Sequence, residues 1–106
     1  MKTLNFLVIG KNTAILMTLK RIIEANKGWY ATVTEDENAL ESFLNENKVD
    51  IILLSAGLDE LIEIGIKAYA LSIDPNIKVI QHFGGGSGLL KNEVYSVFPD
   101  LNHSKN

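Results

Sequence analysis

Apolar and polar positions run along this chain with a changing period, and each change marks the edge of an element. Phe6-Leu7-Val8-Ile9 is unbroken apolar sequence ending at Gly10, the pattern of a strand buried on both faces. The period then becomes helical. From Asn12 to Lys27, Ile15, Leu19, Ile22 and Ile23 share one face, while Lys20, Arg21 and Glu24 lie elsewhere. Asn12 or Thr13 can cap this helix and Gly28 can close it, which makes Gly10-Lys11 the strand-to-helix turn. Trp29 to Thr34, aromatic and β-branched, predict a second strand. Glu35-Asp36-Glu37 then open a second helix, where acids suit the positive helix end, and its apolar face is Ala39, Leu40, Phe43 and Leu44.

Val49 to Leu54 predict a third strand, with Asp50 before its four large apolar residues and Ser55-Ala56-Gly57 after them. A third helix follows from about Asp59 to Ser72. Leu61, Ile62, Ile64, Ile66, Ala68, Tyr69 and Leu71 make it apolar around much of its circumference, and Gly65 is expected to permit close approach to the sheet. Asp74-Pro75-Asn76 is a turn, and Ile77 to Phe83 predict a fourth strand. Residues 84–88, Gly84-Gly85-Gly86-Ser87-Gly88, read as a flexible connection. Val94 to Phe98 read as a fifth strand ended by Pro99, and 102–106 as a frayed tail. Strand–helix alternation of this kind predicts a single α/β domain over 1–106, with a parallel sheet, right-handed crossovers and helices on both faces.

Composition narrows the function classes. Ten Lys and Arg against 13 Asp and Glu give a net charge of -3 with no basic stripe, which argues against nucleic acid. The absence of cysteine removes disulfides and thiolate metal sites and fits a reducing compartment, so a cytoplasmic location is expected. The apolar start is interrupted by Asn5 and runs into Lys11-Asn12 without a small-x-small cleavage signal, so a first strand is expected there rather than a leader. No apolar segment approaches the ~20 residues a membrane helix needs.

Four stretches, taken in order and spacing, resemble the receiver domain of two-component response regulators. They are Phe6 to Ile9 running into Asn12 to Leu16, Glu35 to Leu40, Asn47 to Leu54, and Asp74 to Ile80. The resemblance implies a flavodoxin-like (CheY-like) doubly wound sheet of about five strands in order 2-1-3-4-5, with three main helices and truncated C-terminal ones. Receivers carry two acids after strand one for Mg²⁺, a phosphoacceptor aspartate ending strand three, a Ser or Thr ending strand four, and a Lys before Pro on strand five. In this chain those positions hold Gly10 and Lys11, Ser55, Phe83, and Phe98 before Pro99. Mg²⁺ requires carboxylate oxygens in octahedral array, and Gly10 and Lys11 supply none. A serine hydroxyl needs a neighbouring base, and Asp50 lies five residues along the same strand, roughly 16 Å away. The resemblance therefore implies a degenerate receiver: a non-catalytic signalling module, without metal or cofactor, that works through a protein partner such as a kinase or another regulator.

Other chemistry finds less support. Ile9 to Asn12, with Ser55 and Gly84-Gly85, looks like part of a cobalamin-binding motif. The Asp and cobalt-ligating His positions of that motif hold Asn5 and Leu7. A small-molecule site of cobalamin or nucleotide type at the carboxyl edge of the sheet is the alternative function. Anti-sigma antagonists also place a serine near a sheet edge, but their Asp-Ser-x-Gly arrangement is absent. Gly10-Lys11 lacks P-loop spacing, and His82 and His103 have no ligand cluster around them. The Glu35 to Glu37 run is a solvated helix start within reach of Lys11. With the last helices reduced, one face of strands four and five, including Val79, Val94, Tyr95 and Val97, is expected to lack cover. Self-association through that face, as a homodimer, follows as an expectation.

Overall fold

A computed structural model of the chain describes residues 3–55, 57–81 and 87–98. Its sheet is built from β1 (Leu4–Ile9), β2 (Trp29–Thr34), β3 (Ile51–Leu54) and β4 (Lys78–Gln81), all parallel, in the order β2-β1-β3-β4. Among the described residues the sheet has four strands rather than five. The helices are α1 (Thr13–Glu24), α2 (Leu40–Glu46, entered through a 3₁₀ turn at Glu37–Ala39), α3 (Glu60–Ile73) and α4 (Ser87–Val97). Among the described residues, no helix is long and apolar enough to cross a membrane.

β1 is the centre. It pairs with β2 from Leu4↔Trp29 to Ile9↔Thr34, and with β3 from Phe6↔Ile51 to Ile9↔Leu54. Side chains alternate across a strand. Leu4, Phe6 and Val8 therefore enter one core with Leu16, Leu19 and Ile23 of α1, Trp29, Ile51, Leu53 and Ile80. The Phe6 and Trp29 rings meet there with centroids 5.5 Å apart. Leu7 and Ile9 enter the opposite core with Leu40 of α2, Ile52, Leu54, and Ile66 and Ala70 of α3. Both cores explain why β1 and β3 read as unbroken apolar runs.

Polar side chains fix the ends of these elements. Asn12 Oδ1 accepts the Ile15 N–H at 3.0 Å and Asp59 Oδ1 accepts the Ile62 N–H at 3.0 Å, so both helices start on a capping side chain. α1 ends at Glu24 with Ala25 as its cap, short of Gly28, and Asn26 Nδ2 donates to the carbonyls of Ile22 and Ile23. Asp50 ties three strands at the amino edge of the sheet. Its carboxylate accepts the Asn5 N–H at 2.9 Å, its own N–H donates to Asn5 O, and its carbonyl accepts from Lys78. At the outer edge of β2, Lys20 Nζ donates to Ala31 O at 2.7 Å and Glu24 Oε2 accepts the Ala31 N–H at 3.1 Å, occupying backbone groups that no further strand pairs.

The end of the chain differs most from its sequence pattern. Val94, Tyr95, Val97 and Phe98 do not form a fifth strand: the first three lie on α4, and the Phe98 N–H donates to Val94 O at 2.9 Å as a helix end. Val94 is fully buried in the α1-side core, with Tyr95, Val97 and Phe98 packed against it. The physical reason is coverage. Leu90, Val94 and Val97 also fit a helical period, and α1 alone leaves the β3–β4 side of this face open. Burying that surface outweighs the strand preference of Val, Tyr and Phe. Handedness agrees. A right-handed connection from β4 to a strand beyond it would run over the α2–α3 face, whereas α4 lies on the α1 face. The proposed self-association face is thus an intramolecular one for Val94, Tyr95 and Val97, while Val79 packs against the opposite core. Of the expected Gly-rich connection over 84–88, Ser87 and Gly88 instead begin α4, while residues 84–86 and the tail 102–106 lie outside the described residues. Gly65 is also placed differently. A Cβ there would meet nothing within 4 Å, so it faces outward rather than the sheet.

Val94→Ala is expected to lower unfolding stability by about 2 kcal/mol in urea titrations, as for a core truncation; an exposed strand position would give a change within about 0.5 kcal/mol.

Candidate functional site

In an open parallel sheet, ligands gather outside the carboxyl ends of the strands where the connections diverge to opposite faces. Here that point lies between β1 and β3, because α1 leaves β1 for one face and α3 leaves β3 for the other. Its lip consists of Gly10-Lys11 after β1, Ser55 and Gly57 after β3, and Glu35 to Glu37 after β2.

Backbone hydrogen bonds set this lip. The Gly10 N–H donates to Thr34 O at 3.2 Å, and the Ser55 N–H donates to Ile9 O at 2.8 Å, extending the ladders by one residue on each side of β1. Gly10 and Ser55 are both buried, Ser55 with 5% of its surface exposed. Asp50 clamps the other end of the same strand, so it offers Ser55 no base. Among the described residues, no group of three or more His, Cys, Asp and Glu could hold a metal ion.

Lys11 dominates the site. Its Nζ donates to Glu35 O at 2.7 Å and to Glu37 Oε1 at 2.6 Å, so the one cation at the end of β1 is committed to the acidic turn after β2. Thr13 Oγ1 bonds the Glu35 carboxylate beside it. Contact with the Lys11 ammonium holds the Glu37 carboxyl below its ordinary range. At its base, the Lys11 side chain presses on the loop after β3. A Cβ at Gly57 would stand 2.7 Å from Lys11 Cβ, and Gly57 has φ +94°, a left-handed conformation that L side chains rarely adopt. Lys11 therefore spans the carboxyl end of β1, its stem against Gly57 after β3 and its head on the acidic turn after β2.

Of the five positions singled out in the sequence, the structure brings Gly10, Lys11 and Ser55 together. Phe98 is not among them, since it follows α4 and packs on the α1-side core. Phe83 lies outside the described residues. Gly57 was missed. A glycine three residues after a buried strand reads as an ordinary turn, and its left-handed φ and the path of Lys11 give it a reason. Comparison with protein-family models, curated proteins and solved structures finds no match.

Two outcomes are expected of this geometry. Gly57→Ala should cost roughly 1–3 kcal/mol in the wild type and less in a Lys11→Gly background, where the backbone strain remains and the clash is gone; chemical denaturation of the four proteins gives the coupling. Glu37, held low by Lys11, and Glu24, held low by the Ala31 N–H and then by Lys20, both have depressed folded-state values. Their contribution to stability is complete above the ordinary carboxylate range and fades as pH falls through the lowered values. A Glu24→Gln, Glu37→Gln variant should be less stable than wild type at neutral pH and lose less between pH ~5 and ~3, read as urea midpoints across that interval.

Proposed function

We propose that this chain is a receiver-like, flavodoxin-like module of the cytoplasm that signals by protein–protein contact and performs no phosphoryl transfer. The observation that carries this reading is the path of Lys11. After β1, where a receiver carries acids for Mg²⁺, this chain has Gly10 and a lysine whose ammonium turns to the β2 side, neutralising Glu37 and donating to the Glu35 carbonyl. A divalent cation entering there would meet a like charge and find no carboxylate supplied by Gly10. Ser55 occupies the phosphoacceptor position, buried at the end of β3 and remote from Asp50. With no base placed beside it among the described residues, its hydroxyl is a poor nucleophile. The four-stranded parallel order β2-β1-β3-β4 with helices on both faces agrees with the sheet such a module needs.

The partner in this reading is a kinase or another regulator that recognises the folded surface rather than a phosphoryl group. Incubation with acetyl phosphate and Mg²⁺, followed by intact-mass measurement, is expected to leave the mass of the wild type unchanged. Ser55→Asp should behave the same way, because Gly10 and Lys11 still supply no carboxylate to a metal. A stoichiometric gain of one phosphoryl group in either protein would overturn the reading.

A further inference from the structure

α3 carries two apolar faces. Ile66 and Ala70, with Ile62 and Tyr69 beside them, pack into the core. On the opposite side Leu61, Ile64, Ala68 and Leu71 form a second stripe open to solvent, with Leu61 80%, Ile64 56% and Leu71 40% exposed. Their spacing of three, four and three residues is the a–d–a–d spacing of a helix that packs along another helix. No charge interrupts the stripe. At 100° per residue, Glu60 and Lys67 lie along one flank and Gly65 and Ser72 along the other.

We propose that this stripe is the docking surface for a second copy of the chain, α3 against α3. The arrangement matches itself. In a parallel two-fold pair, Leu61, Ile64, Ala68 and Leu71 each meet their own counterpart, and the charged flank of one copy faces Gly65 and Ser72 of the other. No like charges are opposed, and the open space at Gly65 lets the partner helix approach closely. The β2 edge is a poorer route for pairing, because Lys20 and Glu24 already occupy the Ala31 backbone groups. Two such stripes bury on the order of 1,000 Å² in total, at the low end for specific interfaces, so a weak, reversible dimer is expected. The inference stands apart from the reading of the carboxyl edge, and its failure would leave the phosphorylation result untouched.

Sedimentation velocity on the full chain from about 5 to about 500 μM tests it, with a shift from mostly monomer to mostly dimer expected. Ile64→Lys should weaken association at least about tenfold, and Ala68→Leu, which adds apolar surface to the middle of the stripe, should strengthen it. Both positions are exposed, so far-UV circular dichroism is expected to stay that of the wild type. A wild type that remains monomeric at the highest concentration overturns the proposal and leaves the stripe to a different occupant. A dimer indifferent to both substitutions overturns it as well, by placing the interface elsewhere.

Discussion

Burial of β1 and β3 on both faces is the constraint from which the rest of the structure follows. Four apolar residues in a row cannot satisfy a sheet with one wet face, since alternation would send half of them to water. Each of these side chains is worth about 1.5–3 kcal/mol when buried, so helices must cover both sides. α1 and α4 cover one side and α2 and α3 the other. Asp50 holds the register by binding Asn5 in both directions and Lys78 in one. A slip of one residue would exchange the two cores.

The same requirement decides the fate of the last segment. Once α1 is packed over β1 and β2, the surface around Leu53 and Ile80 still needs cover, and Val94 supplies it. A helix does this where a strand cannot, because a strand beyond β4 would add an edge without covering a face. Apolar exposure then concentrates on α3, whose inner stripe is enough to dock it and whose outer stripe has no neighbour among the described residues.

The carboxyl edge is shaped by contacts between its own connections. The crevice between β1 and β3 is a consequence of topology and exists whatever its residues are. Lys11 borders it, with a steric fit to Gly57 on the β3 side and an ion pair to Glu37 on the β2 side, two contacts from different connections. The ion pair is exposed and holds little energy by itself. Its effect is to commit the Lys11 ammonium and the Glu37 carboxylate to each other.

Sequence by itself determined the strand–helix rhythm, the two-sided burial of the central strands, a cap for α1 at Asn12 or Thr13 and the absence of acids after β1. These are local facts, written in period and residue type within a few positions. It also placed Lys11 within reach of the acidic turn after β2. Tertiary structure alone decided that Val94 to Phe98 end a helix, that Gly65 faces outward, and that Gly57 exists for Lys11. Each depends on which surface remains uncovered after distant segments have packed, or on a side chain from another connection. A run such as Val94-Tyr95-Ser96-Val97-Phe98 suits a strand and a helix almost equally well, and only the open face beside α1 chooses between them.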